Sequence, residues 1–180
     1  VVPPYDDPFV IAGQGTVGRE IAEDFASLGL APDIVSSPAS GGGLMAGIAL
    51  AVKAKFPAAS MITSEPHGFD DHARSFAAGH RSPHRAVGRT ICDALMATIP
   101  GEITFAISQR LGAQGVTVTD DEVAKAMAFA FRELKLVVEP GGAVALAALL
   151  AGHIDARGKT AAIVLSGGNV DADLYARLIQ

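Results

Sequence analysis

The sequence predicts an α/β domain with a mostly parallel sheet and helices on both faces. Three observations lead there. Short apolar runs of strand length alternate with longer helical runs along all 180 residues. The strand-like runs end in glycine-rich or acidic turns, where ligands sit in such sheets. Hydrophobic residues make up 49% and charged residues 18%, enough for a full core and unlike a disordered chain.

In chain order, Phe9 to Ala12 is a short apolar run that stops at Gly13, and a helix is expected from Thr16 to Leu28. Ile34 to Ser37 reads as a strand closed by Pro38 and a glycine cluster. Leu44 to Phe56 reads as a helix ended by Pro57. Ser60 to Ser64 is a strand leading into Glu65-Pro66. The stretch 66–90, rich in His, Arg, Pro and Gly, reads as surface helix and loop. Ile103 to Leu111 is helical and Val116 to Val118 a short strand. Thr119-Asp120-Asp121-Glu122 has the capping-box pattern and starts a helix running to about Leu136. Val137-Val138-Glu139-Pro140 breaks it, and Ala143 to Leu150 is helical again. Thr160 to Leu165 is a buried-type strand ending in Ser166-Gly167-Gly168-Asn169, before a last helix from about Asp171 to Leu178.

Charge and composition remove several function classes. The net charge is −5 and no block of Lys and Arg stands out, so no nucleic-acid partner is expected. A single cysteine, Cys92, forms no internal disulfide, which points to a cytoplasmic protein. It has no neighbouring base and is not read as a nucleophile. No apolar run reaches the roughly 18 residues of a membrane span, and no signal peptide opens the chain. The chain begins Val-Val-Pro-Pro-Tyr without Met and reads as part of a longer polypeptide.

Four motifs carry chemistry. Gly13-Gln14-Gly15-Thr16-Val17-Gly18 is a G-x-G-x-x-G. Read as lying between a strand and a helix, and taken alone, it suits a nicotinamide dinucleotide, but Asp33 precedes the next strand instead of ending it. Tight turning and close packing are the plainer explanation. Ser40-Gly41-Gly42-Gly43-Leu44 lies between strand and helix, where successive N–H groups and the helix dipole suit a phosphate. Ser166 ends a strand and suits a heterocycle nitrogen, although Asn169 or Asp171 there equally suits helix capping. Glu65, Asp70 and Asp71 form either a hard-cation site or a solvated acidic turn. His67, His72, His80 and His84 lack a zinc spacing and are read as surface histidines.

Taken together, Val10 to Thr16, Ser40 to Ala49, Val138-Glu139-Pro140 and Ser166 to Asp171 resemble the C-terminal region of fold-type-II pyridoxal-phosphate enzymes. The resemblance is to threonine dehydratases and serine racemase, and it covers essentially the whole chain. It implies a tryptophan-synthase-β-like large domain and pyridoxal 5'-phosphate as cofactor. It implies that Ser40, Gly41, Gly42, Gly43 and Leu44 cradle the cofactor phosphate, that Ser166 faces the pyridine nitrogen, and that Glu139 lies near the cofactor. In racemase-like members a divalent cation, Mg, Mn or Ca, is held by residues matching Glu65, the Phe69 carbonyl and Asp71. The implied reaction converts L-threonine or L-serine to a 2-oxo acid and ammonia in a homo-oligomer. A serine partner leaves the pyridine ring unprotonated, which favours elimination of a β-hydroxyl.

Departures from the family pattern are also visible. Ser40 replaces a glycine, Cys92 and Ala94 alter a Thr-Ile-Ala-Asp-Gly stretch, and Gly141 replaces a frequent serine. No lysine has the Ser-x-Lys-x-Arg-Gly context that anchors the cofactor: Lys53, Lys55, Lys125, Lys135 and Lys159 all lack it. Residues 1–180 are therefore expected to be the cofactor-side large domain, without the lysine-bearing segment and most of the small domain, and inactive alone. Serine racemase and hydroxyaspartate ammonia-lyase are the alternatives within the family. A non-catalytic subunit and a nicotinamide-dinucleotide-binding domain are those outside it.

Overall fold

The computed structural model describes residues 2–84 and 88–180. Four parallel strands, β1 (Ile34–Pro38), β2 (Ser60–Pro66), β3 (Gln114–Val118) and β4 (Ala161–Ile163), form one sheet in the order β3-β2-β1-β4. Ile34 lies opposite both Ser60 and Ala161, and Ile62 opposite Gln114. Because every pairing is parallel, all strands end on the same side. The turns after β1, β2 and β4 therefore gather at one end of the sheet.

The helices among the described residues are α1 (Pro8–Ser27), α2 (Gly43–Lys55), α3 (Asp71–Ala78), α4 (Glu102–Arg110), α5 (Asp120–Phe129), α6 (Pro140–Leu150) and α7 (Ala172–Leu178). Strand side chains alternate between two cores, as the two-residue period requires. Ile34, Ile62, Ala161 and Ile163 pack with α5 and α6, through Val123, Met127 and Val144. Val35, Met61, Ala162 and Val164 pack with Met45, Ile48 and Val52 of α2. Helices thus cover both faces, and β1 is buried along its whole length. Its polar groups are paired: the Ser36 and Ser64 hydroxyls meet at 3.1 Å across the strands. α6 is buried from Pro140 to Ala148, which suits a helix apolar all round.

The N-terminal part departs from expectation. There is no strand at residues 9–12, because α1 starts at Pro8 and runs unbroken through all three glycines of the G-x-G-x-x-G. Asp7 caps it, its Oδ1 accepting from Phe9 N at 2.9 Å and Val10 N at 3.1 Å, and Pro8 occupies the first turn. Inside a helix the N–H groups bond to carbonyls four residues back, so the motif offers no phosphate cradle. The nicotinamide reading falls with it. The glycines serve packing instead. A Cβ on Gly18 would stand 2.6 Å from the Ile48 carbonyl oxygen, and one on Gly47 2.5 Å from Gly15 N. α1 and α2 touch backbone to backbone at that point.

The other elements follow the sequence closely. The capping box forms, with Thr119 N donating to Glu122 at 2.7 Å and Glu122 N to Thr119 Oγ1 at 3.3 Å. The helix it opens changes into a π-helical turn at Ala130–Leu134 and ends at Lys135, whose φ is 60°.

Gly18→Ala is expected to destabilise the fold by about 1–3 kcal/mol through overpacking. Gly13→Ala, whose Cβ would meet nothing within 4 Å, should be neutral or stabilising by about 0.5–1 kcal/mol. Urea unfolding of the two variants checks the contrast; equal effects would remove the helix-packing explanation.

Candidate active site

A cavity of about 590 Å³ opens where β1 and β4 end. That lies within the range of about 300–1,000 Å³ usual for small-molecule sites. Residues 38–44, residues 93–97, Tyr5, Gln14 and Ser166 line it. The loop from β1 into α2 forms its floor. Gly42 sits in the left-handed region at φ 92°, and a Cβ there would stand 2.6 Å from the His72 ring. No side chain caps α2.

The backbone of this loop is held from behind. The Ser40 carbonyl accepts from His72 Nε2 at 2.8 Å. The Gly41 carbonyl accepts from Thr104 Oγ1 at 2.6 Å and from Gly101 N at 3.0 Å. The Gly42 carbonyl accepts from Ala46 N at 3.0 Å as α2 begins. A trans peptide points its N–H away from its C=O. Fixing those three carbonyls therefore fixes the N–H groups of Gly41, Gly42 and Gly43 on the opposite side. Among the described residues, no hydrogen bond takes up the N–H of Gly41 or Gly42. Such an array at a helix N-terminus suits a phosphate.

The walls are pinned in turn. Ser40 Oγ accepts from Ala97 N at 3.3 Å, so the side chain that departs from the family pattern ties the floor to the 93–97 wall. Thr90 and Asp120 anchor that wall's approach: Thr90 Oγ1 donates to Asp120 at 2.6 Å. The Tyr5 ring packs on the Cα of Gly41 where a Cβ would stand. Asp6, next to it, accepts from Glu102 N, Ile103 N and Thr104 N at 2.9, 2.7 and 3.2 Å and so caps α4.

Ser166 stands at the cavity, in the turn after β4. Glu139 is not among the lining residues. It braces that turn: Glu139 N donates to the Gly167 carbonyl at 3.0 Å, and its carboxylate accepts from Asn169 N at 2.9 Å. The Asp171 carboxylate caps α7. Gly142 packs against Gly167, where a Cβ would meet the carbonyl oxygen at 2.6 Å.

Behind the floor lies a second cluster. Glu65, Asp71 and His72 are buried, with one potential ligand atom from each within 4.8 Å of the others. The Glu65 oxygens accept from His72 N and Ala73 N, both at 2.8 Å, and so hold the start of α3. Among the described residues, Asp71 Oδ2 and His72 Nδ1 have no hydrogen-bond partner. Burial, and then repulsion from Asp71, holds the Glu65 carboxyl well above its ordinary range. Burial likewise pushes Asp71 up to about 7 and pulls His72 down to about 4. Two buried carboxylates that repel each other when ionised, beside an imidazole, with Asp71 Oδ2 and His72 Nδ1 unpartnered among the described residues, fit a divalent cation. Asp70 is turned away, ion-paired with Arg74 at 2.8 Å. Phe69 lies in the same turn, its ring 4.9 Å from that of His84.

Comparison with known proteins decides the family. Residues 1–167 match the pyridoxal-phosphate dependent enzyme family. The chain belongs to that family. The catabolic L-threonine dehydratase of Escherichia coli is 40% identical over 172 residues, 94% of this chain and 51% of that protein. The L-threo-3-hydroxyaspartate ammonia-lyase of Saccharomyces cerevisiae is 39% identical over 180 residues, 100% of this chain and 54% of that protein. Maize serine racemase superposes with a TM-score of 0.86 at 35% identity, over 98% of this chain and 53% of that one. The chain spans about half the length of the curated relatives it matches. Fold type II, the family and its cofactor class, as the motifs implied, are borne out. Among the described residues no helix is long and apolar enough to cross a membrane.

The structure gathers Ser40, Gly41, Gly42, Gly43, Leu44 and Ser166 around one cavity and places Glu65 and Asp71 together behind it. It corrects the reading of His72 as a surface residue, since the ring is fully buried between the two groups. Tyr5, Asp6 and Thr104 went unnoticed in the sequence because their partners lie far along the chain. Cys92 is buried, and burial pushes its thiol up to about 12. Iodoacetamide at about pH 8 should therefore leave the native protein unlabelled and modify it only in denaturant, as intact mass would show.

Proposed function

We propose that these residues form the phosphate side of a pyridoxal-phosphate-dependent ammonia-lyase acting on L-threonine or L-serine. The reaction releases ammonia and leaves a 2-oxo acid. The observation that carries this reading is the anchored glycine loop sharing one cavity with Ser166. In it, the N–H groups of Gly41, Gly42 and Gly43, with the α2 dipole, hold the cofactor phosphate, and Leu44 backs them. The Ser166 hydroxyl would serve as partner to the pyridine nitrogen, and Glu139 keeps the Ser166 turn in place. When bound, the cofactor supplies an electron sink for the substrate's α-carbon. Glu65, the Phe69 carbonyl and Asp71 hold a divalent cation, Mg, Mn or Ca.

The lysine that anchors the cofactor lies outside residues 1–180 in this reading, as does most of the substrate-binding domain. Support comes from the cavity, whose lining contains no lysine among the described residues. Lys53 donates to the Pro57 carbonyl at 2.9 Å beyond the far end of α2, and Lys159 to Asp155 at 3.1 Å. The groups that move protons at the substrate therefore come from outside these residues. A cytoplasmic, self-associating complete protein goes with this reading. Serine racemase or hydroxyaspartate ammonia-lyase activity is the second reading, favoured by the Glu65 and Asp71 cluster.

The test compares pyridoxal phosphate with pyridoxal by absorbance titration of the protein, followed by borohydride reduction and intact mass. A charge-assisted hydrogen bond contributes about 1.5–3 kcal/mol, so pyridoxal should bind at least about tenfold more weakly. Reduction should leave no stoichiometric adduct. Equal binding of both compounds would remove the phosphate cradle. A single adduct on one of the five lysines would show that the chain has its own anchor.

A further inference from the structure

His72 touches both clusters. Its ring is fully buried, between the floor of the cavity and the Glu65–Asp71 pair. Nε2 lies 2.8 Å from the Ser40 carbonyl oxygen. A carbonyl only accepts, so Nε2 carries the proton. In the neutral ring Nδ1 then holds a bare lone pair, and this is the nitrogen left without a partner among the described residues. A buried acceptor with no donor is costly, as is the Asp71 Oδ2, likewise unpartnered among the described residues, and one potential ligand atom of each residue lies within 4.8 Å of the other's. One cation would satisfy both. Imidazole ligands of metals commonly donate their other N–H to a backbone carbonyl, which fixes the tautomer and the ring. Here that carbonyl belongs to the peptide whose opposite face carries the Gly41 N–H.

We propose that His72 is a ligand of the divalent cation through Nδ1, and that its Nε2 bond to Ser40 couples cation occupancy to the phosphate cradle. This rests on the cation reading of Glu65 and Asp71 given above. An added imidazole changes the ion the site prefers. Oxygen ligands alone suit Mg²⁺ and Ca²⁺, whereas a mixed nitrogen and oxygen set favours Mn²⁺, Co²⁺ or Zn²⁺. Occupancy should also stiffen the ring, hold the Ser40–Gly41 peptide in one orientation, and so tighten phosphate binding.

Two substitutions separate the roles. His72→Gln places an amide N–H where Nε2 was and removes the Nδ1 ligand. His72→Asn places an amide oxygen where Nδ1 was and removes the bond to Ser40. Chelator-stripped protein is titrated with Mn²⁺ and Ca²⁺, and pulsed electron paramagnetic resonance looks for nitrogen coupling to bound Mn²⁺. Pyridoxal phosphate affinity is then measured with and without Mn²⁺, and circular dichroism checks folding.

The expected result is imidazole nitrogen coupling in the unsubstituted protein and its loss in His72→Gln, with Mn²⁺ binding weakened at least about tenfold. Ca²⁺ binding should change less. Mn²⁺ should tighten pyridoxal phosphate binding in the unsubstituted protein and have no such effect in His72→Asn. Mn²⁺ bound without nitrogen coupling, and lost only in Asp71→Asn, would overturn the His72 assignment and leave the carboxylate site standing. Absence of any divalent binding to the unsubstituted protein would overturn both. Phosphate affinity indifferent to Mn²⁺ would overturn the coupling.

Discussion

The cavity depends on the anchoring of three consecutive carbonyls on the far side of the glycine loop. Glycines confer freedom, and freedom alone would leave the N–H groups pointing anywhere. The bonds from His72, Thr104, Gly101 and Ala46 remove that freedom. They draw on three parts of the chain, and much of the molecule is arranged to deliver them. α3 brings His72, held there because Glu65 on β2 takes the first N–H groups of the helix. α4 brings Thr104 and starts where Asp6 caps it. The sheet brings β1 and β2 side by side, so that the turn after one lies behind the turn after the other. Backbone N–H groups held in this way need no rearrangement to meet an acceptor.

The same logic governs the second wall. β4 is short and ends well before Ser166, so its turn has little ladder to hold it. Glu139 supplies the missing restraint with one backbone and one side-chain bond, and Gly142 permits the two turns to touch. Here the geometry makes Glu139 a brace for the residue that faces the cavity.

How far the site was legible follows from the range of its interactions. A phosphate cradle needs adjacent N–H groups at a helix start, so residues 40–44 announce themselves locally. The acidic pair Glu65 and Asp71 is separated by a single turn and was visible for the same reason. His72 was not, because its meaning lies in Ser40, 32 residues away. Asp6 caps a helix whose first turn is 97 residues on, at Ile103. The G-x-G-x-x-G misled in a different way. Glycine is required both by tight turns and by close helix crossings, and its spacing does not separate them. The deciding signal was Asp7-Pro8, a cap followed by the residue best suited to a helix's first turn, which makes residues 9–12 helical. The four strands of the sheet are legible as short apolar runs, because residues on both of their faces enter a core.

The departures from the family pattern make more sense as a pair than singly. Ala94 adds a methyl where a glycine is usual, and Gly141 omits a side chain where a serine is usual. In the fold the two positions face each other: a Cβ on Gly141 would stand 3.4 Å from that of Ala94 and 3.3 Å from Leu95. That is already tight, and a side chain at Gly141 would press on those of Ala94 and Leu95. The methyl of Ala94 takes up space beside the glycine without requiring it to move. Interiors packed to crystal-like density tolerate volume exchanged between neighbours far better than volume added at one of them. In this fold Ala94 and Gly141 therefore fit as a larger and a smaller residue in contact, and Ala94 keeps its place in the cavity lining.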